Sequence, residues 1–328
     1  MEIQFIKGHG SGNDFILLDE WTHQYSFTEE NRRELALALC NRETGLGADG
    51  IVFVMESGHA NAKMRIFNSD GSEASMCGNG LRLHGRYVLD KLGKEEIVVE
   101  TNKADLYVKR DGEIYEGVAA YRVEISPVLF DLADLPMTIE KERLFNEIVP
   151  ALSDSIPFSA VAVPNPHLIA VSSRELIASN EQKRIAEMLN GENDITPDGV
   201  NVSFVHPIEK GTLYVRTFER GVGFTNACGT AMSASTLTTC QLGLNDFETP
   251  IDVYNNGGKV RCEVHQHEDS RYSIDLIGNG TYMFEGVIHL DLDAPHRFTV
   301  HNQRPLAEQN AYERLRAEAE SYLAAHVF

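Results

Sequence analysis

The sequence predicts an α/β chain built from two domains of similar construction. Two observations predict it. One ordered set of landmark residues occurs twice, about 150 residues apart. In each occurrence a strand-like segment leads through a loop to a Cys-Gly pair and then to a helix-like stretch.

The landmarks align on two cysteines. Arg65, Phe67 and Asn68 stand 12, 10 and 9 residues before Cys77, and Arg216, Phe218 and Glu219 stand at the same distances before Cys228. Upstream, Asp49-Gly50 and Asp198-Gly199 begin 28 and 30 residues before their cysteines. Asn13-Asp14-Phe15 precedes one Asp-Gly and Asn165-Pro166-His167 precedes the other. Self-similarity of this kind is a signature of duplicated architecture. The runs Ile51–Val54 and Val202–Val205 read as strands, and Leu81–Leu92 and Ala231–Leu242 read as the helices after each Cys-Gly. Pro127 cannot donate to a strand ladder and restricts Ser126, so a crossover is expected there. The expected domains are 1–126 with 281–328, and 127–280. From Pro305 onward, Leu306, Tyr312, Leu315, Ala319, Tyr322 and Leu323 recur at near-helical spacing among charged residues. This is an amphipathic helix that docks on the body or on another subunit.

Composition narrows the function. At 42% hydrophobic residues the 328-residue chain has enough apolar matter for two cores and too much for disorder. The net charge of −20 opposes binding to phosphate backbones, and no basic patch offsets it, so nucleic acid is not an expected partner. No apolar run reaches the length of about 18 residues that a membrane helix needs. The start Met1-Glu2-Ile3-Gln4-Phe5 has no secretory pattern, which places the protein in the cytoplasm. The five widely spaced cysteines there read as reduced thiols. Cys40, in the apolar Leu35–Cys40 stretch, and Cys240, late in a helix, read as packing residues. Cys262 with His265 and His267 invites a metal reading. Their period-2 spacing on a strand and the lack of a second ligand cluster speak against it, and no metal is expected.

Cys77 and Cys228 read differently. A cysteine at the start of a helix sits by unpartnered N–H groups and the positive end of the macrodipole. Such a thiol's pKa falls from about 8.5 into a range of roughly 3.5–7.5. Gly78 and Gly229 let a ligand approach the backbone, and the N–H groups of Gly78, Asn79, Gly229 and Thr230 suit a carboxylate. One thiolate and one thiol on opposite sides of a carbon form a base–acid pair that inverts a stereocentre. No lysine motif for a Schiff base is present, so no cofactor is expected.

Through these residues the chain resembles the diaminopimelate epimerase family. The resemblance rests on Lys7-Gly-His-Gly-Ser-Gly-Asn13-Asp14-Phe15, Gly45-Leu-Gly-Ala-Asp49-Gly50, Asn68-Ser-Asp-Gly71 and Met76-Cys77-Gly-Asn-Gly80. In the second half it rests on Asn165-Pro166-His167, Gly199-Val-Asn201, Phe218-Glu219-Arg220-Gly221 and Ala227-Cys228-Gly-Thr230. It implies two pseudo-symmetric domains, each a β-sheet wrapped around a central helix. It implies conversion of LL- to meso-diaminopimelate without pyridoxal phosphate, in lysine and peptidoglycan precursor synthesis. Cys77 and Cys228 would be the acid/base residues, with His167 and Glu219 beside the reacting centre at its ammonium. Gly78, Asn79, Gly229 and Thr230 would bind the reacting carboxylate. Asn13, Asn68, Asn165, Asn201 and Arg220 would hold the rest of a small amino-acid substrate, and a homodimer is the assembly implied.

The sequence departs from the family pattern at Phe224, where Glu is usual, at Asn226 and Ala231, at Leu81, and in its C-terminal helix. These positions lie largely beside Cys228 and bear on substrate scope. A racemase of another amino acid, such as histidine, on the same scaffold is the alternative. Arg220, Asn68 and Asn201 together favour a distal carboxylate, and so diaminopimelate. A non-catalytic amino-acid-binding or thiol-redox protein is the remote alternative, and redox use would favour a Cys-x-x-Cys that is absent. Paired thiols acting across one carbon carry a testable consequence. Mild oxidant is expected to inactivate the protein, and a reducing agent to restore it. Full activity after stable oxidation of Cys77 and Cys228 would count against both as catalysts.

Overall fold

Polar and apolar residues alternate along Glu2-Ile3-Gln4-Phe5, which suits a strand with one covered face. In the computed structural model, which describes residues 1–269 and 271–328, this segment opens β1 (Glu2–Gly10), with Ile3 and Phe5 buried and Gln4 exposed. The chain divides into two compact units, Met1–Val123 with Ile277–Leu315, and Glu124–Leu276 with Arg316–Phe328.

The first unit continues through β2 (Asn13–Asp19), α1 (Glu20–His23), α2 (Glu29–Leu39), β3 (Gly50–Met55), β4 (Ala62–Asn68), β5 (Glu73–Ala74), α3 (Gly78–Leu92), β6 (Glu96–Glu100) and β7 (Asp105–Tyr115). Next come β8 (Val118–Ile125), β9 (Glu147–Ile148), β10 (Pro157–Ala162), β11 (Pro166–Val171), α4 (Arg174–Ala178), α5 (Glu181–Asn190), β12 (Asn201–Glu209) and β13 (Thr212–Glu219). The chain closes with β14 (Gly223–Thr225), α6 (Gly229–Gln241), β15 (Ile251–Asn255), β16 (Gly258–Gln266), β17 (Tyr272–Asn279), β18 (Thr281–Leu290), β19 (Phe298–Pro305) and α7 (Glu308–His326).

The repeat read from the landmarks is a repeat of strand pairing. In the first unit β1–β2 is antiparallel, β2–β3 parallel, β3–β4 and β4–β5 antiparallel, β4–β6 parallel and β6–β7 antiparallel. In the second, β10–β11, β11–β12, β12–β13, β13–β14, β13–β15 and β15–β16 follow the same order of senses. The strands expected at 51–54 and 202–205 lie inside β3 and β12.

Each unit wraps its strands around one helix. α3 packs against β1, β2, β3, β4, β6 and β7, and α6 against β10, β11, β12, β13, β15 and β16. Both helices are buried along most of their length. Leu81, Leu83, Val88 and Leu89 give α3 an apolar surface. α6 instead buries Ser233, Ser235, Thr236, Thr238 and Thr239. The hydroxyls of Ser233, Thr236 and Thr238 donate to the carbonyls of Gly229, Met232 and Ala234, one turn back, and that of Thr239 to Thr236. Self-bonded hydroxyls enter a core without leaving an unpaired polar group.

The amphipathic C-terminal segment docks on its own chain. Tyr312 and Leu315 of α7 pack with Ile114, Val118 and Ile277 in the first unit. Leu323 and Val327 join the second unit's core, and Tyr322 stacks on Tyr254 with centroids 4.6 Å apart. No helix among the described residues is long and apolar enough to cross a membrane.

The start of α3 is set by a close backbone approach. A Cβ at Gly10 would lie 2.8 Å from the Asn79 carbonyl oxygen and 3.0 Å from its Cα, both backbone atoms of the helix's first turn. Only a glycine lets β1 pass there. Gly10→Ala is expected to lower stability by about 1–3 kcal/mol, the usual cost of overpacking, with a matching fall in the thermal midpoint. An unchanged midpoint would show that the helix start is not seated as described.

Candidate active site

The elements that carry the candidate residues end together within each unit. Parallel neighbours begin at the same end, and an antiparallel partner finishes there. In the first unit this brings Asn13, the first residue of β2, to the same end as Asn68, the last of β4, which pairs with Gly50 in β3. In the second unit Asn201 opens β12 beside His167 in β11, and Glu219 closes β13. Each helix starts next to this end with a cysteine as its N-cap. Cys77 caps α3 and Cys228 caps α6, both with extended backbone.

In the first unit Cys77, Asn13 and Asn79 come together. The Cys77 thiol donates to Asn13 Oδ1 at 3.7 Å, and Asn79 Nδ2 donates to the same oxygen at 3.2 Å. Asn13 Nδ2 in turn donates to Asp49 Oδ2 at 2.6 Å. Arg82, fully buried, holds Asn79 Oδ1 at 2.8 Å and the Asn279 carbonyl at 3.0 Å. Asn68 turns its amide to the Ser72 hydroxyl at 3.0 Å instead. Gly78 is buried in the first turn.

In the second unit a carboxylate stands beside the cysteine itself. Burial pushes the Cys228 thiol well up, and the neighbouring Glu219 carboxylate adds to this by its charge and by accepting from the thiol. The Thr230 hydroxyl, 3.5 Å from the sulfur, and the Ala231 N–H pull the other way. Glu219 also accepts from the Thr225 hydroxyl. His167 is fully buried, and neither ring nitrogen has a hydrogen-bond partner among the described residues. Burial first, and the Arg220 charge second, push its pKa down to about 3, so it is neutral. Asn201 Oδ1 accepts from the Arg220 N–H at 2.9 Å, and the Arg220 guanidinium donates to the Asp198 carbonyl at 3.0 Å. Asn165 supports the turn into β11 through its carbonyl, which accepts from Val163. Gly229 is buried in the first turn of α6.

Two residues here were not singled out from the sequence as site residues. Asp49 figured only as a landmark, although its Asp-Gly recurrence was the available signal. Thr225 follows the departure at Phe224 and carries no signal of its own. Phe224 is half-exposed and packs edge-on against Phe218 with centroids 5.2 Å apart, under the Arg216 guanidinium.

The other cysteines are packing residues. Cys40 and Cys240 are buried, with pKa values pushed up to about 12 by burial, and Cys262 is fully buried. Glu263, His265 and Asp275 offer ligand atoms within 4.8 Å of one another. His265 is held by Glu248 at 2.6 Å and Asp275 at 3.2 Å.

Each unit is thus a mixed α/β wrap around one central helix whose N-cap is a cysteine. The solved structures agree on the fold. A phenazine biosynthesis protein of the PhzF family from Bacillus anthracis superposes with a TM-score of 0.66 at 19% identity, covering 88% of this chain and all of that one. The family described as Diaminopimelate epimerase matches residues 5–121 and 159–279. A diaminopimelate epimerase of Clostridium acetobutylicum is 45% identical over 95% of this chain and 93% of its own length. That of Ligilactobacillus salivarius is 52% identical over 85% and 88%. The chain belongs to the diaminopimelate epimerase family, and it is an isomerase.

His167, with His9 and His84 pushed down to about 4 by burial, makes stability depend on pH. An unfolded histidine takes a proton near pH 6.5, whereas these stay neutral while folded, so the unfolded state gains protons first as pH falls. Their contribution is complete above pH 6.5 and is lost progressively between there and about pH 3 to 4. The thermal midpoint is therefore expected to drop steadily below pH 6.5. His167→Phe, which cannot titrate, should make that slope shallower, and an unchanged slope would refute a neutral buried His167.

Proposed function

We propose that this chain epimerises LL-diaminopimelate to meso-diaminopimelate with Cys77 and Cys228 as the acid/base pair and no cofactor, in the synthesis of lysine and peptidoglycan precursors. The observation that carries the reading is the cysteine at the N-cap of the central helix in both units. Helix N–H groups in each first turn suit the reacting carboxylate, and holding it there stabilises the negative charge that develops at the α-carbon. One cysteine takes the α-proton and the other delivers a proton to the opposite face.

Glu219 and neutral His167 make an acceptor-rich seat for the α-ammonium. An ammonium beside Glu219 compensates the charge that opposes ionisation of Cys228, so substrate itself lowers the cost of forming the thiolate. Asn13, Asn68, Asn165, Asn201 and Arg220 supply donors and acceptors for the distal carboxylate and ammonium. The reading includes a homodimer working in the cytoplasm.

The test is α-proton exchange in D₂O with LL-diaminopimelate, and in parallel with L-histidine, under reducing conditions without added pyridoxal phosphate. Deuterium uptake and appearance of the meso isomer are expected with diaminopimelate. Both should fall by at least about 10²-fold in Cys77→Ala and in Cys228→Ala, the lower end for one acid–base group. Exchange with histidine alone would keep the chemistry and replace the substrate. Exchange surviving either substitution would remove that cysteine from the mechanism.

A further inference from the structure

The hydrogen bonds around Asn13 form a chain with one sense of direction. An asparagine amide has an accepting end and a donating end, and its neighbours decide which way it points. Asp49 Oδ2 is a pure acceptor. It takes Asn13 Nδ2 at 2.6 Å and the Asp14 N–H at 3.0 Å. Asn79 Nδ2 is a donor, because Arg82 occupies the oxygen end of that amide at 2.8 Å. Both neighbours fix the Asn13 amide in the same orientation, with Nδ2 towards Asp49 and Oδ1 towards Asn79 and Cys77. Asp49 is itself held, since Arg42 bonds its other oxygen at 2.7 Å and Asp14 at 2.8 Å, and buried Lys7 pairs with Asp14 at 2.5 Å.

We infer that Asp49 is a positioning residue that locks the Asn13 amide with its oxygen on Cys77, so that Cys77 rests as the thiol, the proton-donating form. A carbonyl oxygen accepts from S–H and repels S⁻, whereas the reversed amide would present N–H and favour the thiolate. This rests on the assignment of Cys77 as an acid/base residue. It adds a carboxylate that acts through an asparagine. Asn13 of β2, which the sulfur bonds, is neutral, and Asn79 of α3 bonds the same amide oxygen. The charged groups behind them are Asp49, Asp14, Lys7, Arg42 and Arg82, and the direction of the Asn13 amide dipole acts against the first-turn N–H groups of α3, which favour the thiolate.

The readout is the pH profile of Cys77 alkylation by iodoacetamide, followed by mass spectrometry of the Cys77 peptide in the full-length protein without substrate. The plateau rate at high pH reports access to the sulfur, and the midpoint reports thiol against thiolate. In Asp49→Ala the amide is free to reverse. The midpoint is expected to fall, with alkylation at pH 7 faster by about fivefold or more, the size of one net hydrogen bond. Asp49→Asn removes the charge but keeps an oxygen for Asn13 and the Asp14 N–H, and should restore the parent profile to within about twofold. Asn13→Ala deletes the accepting oxygen and should shift the midpoint as Asp49→Ala does, which keeps the question open to refutation if Asp49→Ala does not fold. An unmoved midpoint in Asp49→Ala or Asn13→Ala, or identical shifts in the Ala and Asn variants of Asp49, would overturn the inference. Deuterium exchange by Cys77→Ala, run alongside, separates the two claims. Retained exchange there sinks the catalytic assignment of Cys77 and leaves the alkylation result standing on its own.

Discussion

Everything in each unit depends on seating one helix inside a wrap of strands while its first turn stays at the strand ends. A helix start carries N–H groups that its own backbone does not satisfy. Ser, Thr, Asp and Asn cap such starts best, yet α3 and α6 both begin on cysteine. Stability is forgone at that position. Gly10 and Gly80 show how tightly the seat is drawn on α3: a Cβ on either would meet Asn79 backbone or the Ile66 side chain at 2.8 and 2.7 Å.

The two cysteines share this frame but not their surroundings. The Cys77 thiol bonds the oxygen of Asn13, whose nitrogen end bonds Asp49. Cys228 is buried beside a carboxylate, and the same strand ends carry a histidine too desolvated to hold a proton. The landmark alignment already contains this asymmetry, since Asn68 and Glu219 occupy equivalent last positions of β4 and β13. Pseudo-symmetry of the backbone thus supplies two like positions, and side-chain exchange at matched places makes them chemically unlike.

Much of this was legible because it is local. β3 is a continuous apolar run, β12 carries Val202, Phe204 and Val205, and Gly71, Gly221 and Gly223 interrupt the chain before the two helices, so periodicity and breakers find them. The cysteine caps were readable from the repeat. α6 was found from that repeat too, since its Ser and Thr residues blur any apolar stripe. The docking of α7 was not decidable, because an amphipathic face says what is buried and not against which surface. The part of the site that escaped is the part made by residues far apart in sequence. Lys7, Asp14, Arg42 and Asp49 meet across 42 positions of chain, and no local pattern distinguishes an aspartate that aims an asparagine from one that ends a turn.

The hydroxyl-lined α6 has a bearing on how this sequence can drift. Its buried Ser and Thr side chains largely answer to the helix's own carbonyls rather than to neighbouring strands. Exchanging Ser233, Thr236 or Thr238 for Ala, or either Thr for Val of equal shape, removes donor and demand together and strands no partner, whereas Thr239 also accepts from Asn245 at 3.1 Å. What the surrounding strands constrain is therefore girth. Lineages can be expected to wander among small residues along this helix, with polarity nearly free and volume tightly policed, so that a segment at the heart of the unit records little ancestry in its letters and much in its size.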